Sequence, residues 1–116
     1  MKTMLLLTLS ASLSAFAQTQ SFSTSAGEVK ITPIFHASTL IQAGGKTIYI
    51  DPAKPAKLTG LPKADLILIT HIHSDHFDPD SIAAISQPTT QVIAPASVVE
   101  KFPSAKPIAN DQTQPR

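Results

Sequence analysis

The chain has 116 residues, 42% hydrophobic and 15% charged, which fits one small globular domain and excludes disordered, collagenous and coiled-coil classes. Nine basic against eight acidic residues leave a net charge of +1, too little to steer the chain toward nucleic acid or a membrane surface. Cysteine is absent, so disulfides, thiolate metal sites and thiol catalysis are excluded, and any metal must be held by His, Asp or Glu.

The N-terminus has the three-part layout of a secretory signal: Lys2, an apolar stretch from Met4 to Leu9, and Ala15-Phe16-Ala17 as a small-x-small cleavage pattern. The stretch is too short and too broken by serines to span a membrane, so no membrane anchor is expected after cleavage behind Ala17. Removing these 17 of 116 residues leaves 99 and takes the net charge from +1 to 0, because Lys2 goes with them. The mature chain is then expected in the periplasm or outside the cell. Residues 18–26 are polar and Ser/Thr-rich and read as a loose, flexible lead-in.

A partial domain is expected over residues 27–103. Between Glu28 and Phe35, Val29, Ile31 and Pro33 alternate with Lys30, Thr32 and Ile34, and the proline predicts an edge-like strand because it cannot donate to a ladder. Two β-rich runs, 39–43 and 46–50, flank Gly44-Gly45 and predict a hairpin, since both turn positions can take positive φ. Asp51-Pro52 opens a loop containing Pro55, Gly60 and Pro62. Leu66-Ile67-Leu68-Ile69 is continuous, apolar and short, the pattern of a strand buried on both faces. Asp78-Pro79-Asp80-Ser81 predicts a helix start, with Asp78 as N-cap and Ile82 and Ile85 facing the core. Residues 91–94 form a further strand candidate, and 95–102 a short helix stopped by Pro103. Residues 104–116 lack a periodic apolar face and read as an irregular tail.

The chemistry sits directly after the buried strand, in Thr70-His71-Ile72-His73-Ser74-Asp75-His76. Three of the four histidines and an aspartate fall within six residues, and core packing gives no reason to crowd imidazoles there. Imidazole nitrogen and carboxylate oxygen suit a borderline divalent cation such as zinc. In an extended backbone His71 and His73 point to one side and can share an ion, while Asp75 and His76, beyond a turn at Ser74, can reach a second. Two ions roughly 3.5–4 Å apart lower the pKa of a bridging water toward 7 and stabilise a developing oxyanion, which is hydrolytic chemistry.

His71-x-His73-x-Asp75-His76 after a hydrophobic strand resembles the signature of the metallo-β-lactamase fold. The stretch His36-Ala37-Ser38, followed by Ile41-x-Ala43-Gly44-Gly45-Lys46-Thr47-Ile48-Tyr49-Ile50-Asp51-Pro52, is similar to the branch of metal-dependent hydrolases that includes ascorbate-phosphate lactonase. The resemblance covers about Val29 to Phe102 and implies an α/β (α+β) fold, the N-terminal half of a metallo-β-lactamase-type αβ/βα sandwich. It also implies a dinuclear, zinc-type hydrolase, with manganese as the alternative metal, acting on a small-molecule substrate. His71 and His73 would bind the first metal, and Asp75 and His76 would bind the second and serve catalysis. Asp51 matches the family's early aspartate, which would accept a ligand imidazole N–H; its other reading is a turn-forming residue before Pro52. His36 sits where the branch carries Gly-His-Ala-Ser, with Phe35 in place of the glycine, and either approaches the site or satisfies a backbone carbonyl, the structural role being preferred. Family members are about twice as long and draw further ligands from their second half, so the expectation is a truncated or partial chain. Its incomplete sheet face would be free to self-associate. The rival expectations are a non-catalytic metal-binding remnant and a partner-dependent half-domain.

Overall fold

A computed structural model describes residues 18–115. The expected signal, residues 1–17, lies outside the described residues. Seven strands form one mixed sheet in sequence order: β1 (Gln20–Thr24), β2 (Gly27–Phe35), β3 (Ser38–Ala43), β4 (Lys46–Ile50), β5 (Leu66–Leu68), β6 (Gln91–Ala94) and β7 (Lys106–Pro107). The first four pair antiparallel, and the pairs from β4 to β7 are parallel. Helix α1 (Pro79–Ile85) joins β5 to β6, and α2 (Ala96–Val99) joins β6 to β7, so the parallel half is built of crossovers. The architecture is α/β, as the sequence predicts.

Local chemistry explains most of these elements. Gly44 and Gly45 take φ of 58° and 74°, the two positive values that a tight β3–β4 turn needs. Asp78 caps α1 by accepting from the Ser81 backbone N–H at 3.3 Å and from its hydroxyl at 2.5 Å, with Pro79 at the first helical position. The Asp65 carboxylate accepts from the Thr47 N–H at 2.8 Å while its own N–H donates to the Thr47 carbonyl at 2.9 Å, which sets β5 in register beside β4. The helix after β6 is shorter than expected, ending at Val99, although the Phe102 N–H still reaches the Val98 carbonyl at 2.8 Å.

Four expectations need correction. Residues 20–24 of the expected lead-in form β1, an entirely exposed strand paired with Gly27–Ile31; its polar sequence carries no burial signal because neither face is covered. As a result β2 is not an edge strand. Pro33 is tolerated because the β1 ladder stops at Ile31, two residues short of it, and a register shift follows between Pro33 and Phe35. Within the expected tail, Lys106 and Pro107 pair with Ile93 and Ala94, and the Ile108 N–H extends this ladder to the Ala94 carbonyl at 3.0 Å. The strand at 66–68 is buried on one face only: Ile67 is inaccessible, whereas Leu66 and Leu68 are half-buried.

The two faces of the sheet therefore differ. Leu40, Tyr49, Ile67, Val92 and Ala94 lie under α1, α2 and the loops, packed with Ile82, Ile85, Val98 and Phe77 into one core. On the opposite face Ile41, Ile48, Ile50, Leu66, Leu68 and Ile93 form a half-exposed apolar stripe.

Candidate metal centre

Two parallel strands end side by side and deliver the site. Asp51 follows β4, and Thr70 and His71 follow β5, so the chemistry lies at the carboxyl ends of parallel strands, where open α/β sheets bind ligands. The Asp51 N–H donates to the Leu68 carbonyl at 2.9 Å, which fastens the two exits together.

Asp51 is the keystone of the loop. It is 2% exposed and has φ of 47°, a left-handed conformation that aspartate tolerates better than most residues. Its Oδ1 accepts from the Thr70 N–H at 2.7 Å, and its Oδ2 accepts from the Thr70 hydroxyl at 2.5 Å and from His76 Nδ1 at 2.8 Å. Of the two readings of Asp51, the geometry matches the carboxylate that orients an imidazole. Its hydrogen bond also makes His76 more basic, holding its pKa above the usual histidine value.

The loop is pinned at its far end as well. The His76 and Phe77 N–H groups both donate to the His73 carbonyl at 2.9 Å, closing a turn over Ser74 and Asp75. Phe77 then enters the core edge-on to Phe102, with ring centroids 6.0 Å apart. Between these anchors the polar side chains face outward and converge. The His71 and His73 rings meet at 4.0 Å and the His71 and His76 rings at 5.7 Å, so His71 lies between the other two.

Asp75 sits at the opposite side of His76, with Oδ2 3.6 Å from His76 Nε2. His36 approaches from the β2–β3 turn: its Nε2 is 2.9 Å from Asp75 Oδ2, and its ring is 5.8 Å from that of His76. The preferred structural role for His36 is thus corrected, because its side chain meets the loop rather than a backbone carbonyl. No local signal in the sequence could have shown this contact, which joins residues 39 apart. The hydrogen bond with His36 holds the Asp75 carboxyl below the usual carboxylate range, keeping it ionised. The ligand atoms of His36, Asp75 and His76 all lie within 4.8 Å of one another.

The six residues singled out in the sequence lie at one end of the sheet, with Asp51 beneath the loop and His36 beside it, but among the described residues only His36, Asp75 and His76 form a three-residue ligand group, and His71 and His73 stand next to it through ring contacts alone. The donor set fits a divalent cation. Four imidazoles and an ionised carboxylate are crowded at a solvent-facing surface, and a buried carboxylate fixes the tautomer of one of them. A cleft of about 470 Å³ lies elsewhere, between the 54–63 loop and α1, and none of these six residues lines it.

A sequence model of the beta-lactamase superfamily domain matches residues 30–110. The chain belongs to that superfamily. Among superfamily relatives, it is 44% identical over 66 residues to a UPF0173 metal-dependent hydrolase of Flavobacterium johnsoniae, a match covering 47% of this chain and 28% of the relative. A homologue from a Geobacillus species, with the same description, is 40% identical over 73 residues, covering 58% and 31%. The crystal structure of a Parabacteroides distasonis protein assigned as a metal-dependent hydrolase superposes with a TM-score of 0.81 at 39% identity, covering 85% of this chain and 46% of that one. The chain thus spans less than half the length of the superfamily members it matches.

Proposed function

We propose that the chain is the metal-binding part of an exported, metal-dependent hydrolase with a dinuclear site, zinc being the first choice of ion and manganese the second. On this reading His71 and His73 serve one ion, and Asp75 and His76 serve the other. The observation that carries it is the placement of His71 and His73 ring to ring beside His76 and Asp75, on a loop clamped by Asp51 at one end and Phe77 at the other. Preorganisation of this kind is what a ligand set needs to hold an ion in a defined geometry.

When bound, such ions supply a water of lowered pKa and an electrophile for a developing oxyanion. The chain's own residues do the positioning. Asp51 takes the Nδ1–H of His76 and so leaves the Nε2 lone pair directed out of the loop. Thr70 holds that carboxylate through both its N–H and its hydroxyl. Asp75, kept ionised, contributes the negative charge that neutral imidazoles lack. The substrate would be a small molecule with a carbonyl or phosphoryl centre. The half-exposed stripe of Ile41, Ile48, Leu66 and Leu68 is a surface for the further half that longer relatives carry, or for self-association. Export rests on the pattern of residues 1–17.

The test is hydrolysis of ester, lactone, phosphodiester and β-lactam substrates with added zinc or manganese. A chimera of this chain with the second half of a relative is expected to turn over at least one of them and to lose that activity on chelation and on His71→Ala. The mature chain alone is expected to stay at the level of its His71→Ala control, since His71 and His73 give their ion two ligands where the usual number is three. Turnover that survives both chelation and His71→Ala would refute the proposal.

A further inference from the structure

We propose that His36 is itself a metal ligand, completing with Asp75 and His76 a three-ligand divalent-cation site within this chain. This rests on the reading of the 70–77 loop as a metal cradle, and adds a residue from outside it.

Distances come first. In a tetrahedral site with bonds of about 2.0 Å, neighbouring ligand atoms lie about 3.3 Å apart. Here His36 Nε2 and His76 Nε2 stand 2.9 and 3.6 Å from Asp75 Oδ2, and no pair of the three ligand atoms exceeds 4.8 Å. Two of the three edges lie near that value, and the exposure of His36 and Asp75 leaves the group open to solvent.

Hydrogen-bond chemistry points to the same place. His76 Nδ1 is committed to Asp51, which leaves Nε2 as the ring nitrogen facing the Asp75 carboxylate oxygen 3.6 Å away. A cation held by these two groups would also be within reach of the Nε2 of His36, 2.9 Å from the same carboxylate oxygen.

The backbone carries His36 to this position by unusual means. The register shift between Pro33 and Phe35 re-aims the end of β2, and His36 follows with φ of 50° in the left-handed region. Two residues later the Ser38 hydroxyl donates to the Asp51 carbonyl at 2.6 Å and accepts from the Ala53 N–H at 3.2 Å. The turn holding His36 is therefore tied to the same loop that holds Asp51, and the site is built from two sheet exits and one hairpin.

The test uses zinc alone and the full mature chain, by calorimetric titration and by the ¹⁵N resonances of the imidazoles. His36→Gln retains an amide donor for Asp75, and His36→Asn suits the left-handed backbone, so neither is expected to disturb the fold. Both should weaken zinc binding at this site by at least about 10-fold. In the unaltered chain, zinc should shift the Nε2 resonance of His36 together with that of His76. Unchanged affinity in His36→Gln, or a His36 resonance that zinc leaves in place, would overturn the assignment and leave His36 as a residue that only orients Asp75. If zinc binding is also unchanged when His71, His73, Asp75 and His76 are all replaced by alanine, the parent reading falls with it. If only that fourfold variant loses zinc, the parent reading stands and His36 alone is struck out.

Discussion

Replacing Asp51 separates what the buried carboxylate does for the fold from what it does for the site. In Asp51→Ala the Thr70 N–H loses its acceptor, and because this hydrogen bond is only partly buried the cost is about 1 kcal/mol. Alanine also sits poorly at φ of 47°, adding about 1–2 kcal/mol. A loss of about 2–3 kcal/mol is a large part of the stability of a small domain. Asp51→Asn should behave differently. Asparagine tolerates the left-handed backbone, and its carbonyl oxygen can still accept from Thr70, so the fold should lose about 1–2 kcal/mol at most. Its amide hydrogens, however, face His76 Nδ1, and His76 must then carry its proton on Nε2, the nitrogen needed for metal. Zinc affinity should fall about 10–100-fold while the fold persists. Urea denaturation of both variants, alongside calorimetric zinc titration of Asp51→Asn, measures the two effects separately. Undiminished zinc affinity in Asp51→Asn, or full stability in Asp51→Ala, would refute this account of the residue.

Burial pushes the phenol of Tyr49, the chain's single tyrosine, up to about 12, so ultraviolet titration of the folded chain should show a midpoint near there rather than near 10. Because the unfolded chain ionises first, this contribution is complete below pH 10 and lost between pH 10 and about 12, by at most about 2–3 kcal/mol; an alkaline stability profile flat over that window would contradict it. Phe77→Ala should cost about 3–5 kcal/mol by emptying a core position beneath the loop, and should weaken zinc binding as the turn over Ser74 loosens; thermal melting and zinc titration check the two effects. Intact-mass analysis of protein from the extracytoplasmic fraction should find a chain beginning at Gln18, and recovery only of a cytoplasmic chain retaining Met1 would count against export.

The legible parts of this sequence were those with local causes. Gly44-Gly45 between two β-rich runs, the Asp78-Pro79 helix start and the apolar run Leu66–Ile69 ahead of the histidine cluster each place their own signal within a few residues, and the turn, the helix start and the strand stand at those positions. The parts that escaped depend on distant partners. β1 exists because β2 offers it an edge, not because residues 20–24 carry an apolar face. Pro33 marks an edge, but only a local one, beyond the end of β1. Lys106 and Pro107 join the sheet through two backbone pairs that leave no pattern in the side chains. At the site the contrast is the same. The histidine cluster announces itself by spacing, whereas the bond from Asp51 to His76 spans 25 residues and that from His36 to Asp75 spans 39, and only the closed sheet brings them together.

Zinc uptake is the measurement that bears most directly on the 70–77 loop as a divalent-metal site. After equilibrium dialysis of the mature chain against zinc and then against buffer, elemental analysis should find retained metal. The same treatment of His71→Ala/His73→Ala should lower it while leaving the ion at His36, Asp75 and His76, and a variant that also carries Asp75→Ala and His76→Ala should retain none. Equal zinc in all three chains would mean that these side chains do not hold the ion, and the metal centre would be wrongly assigned.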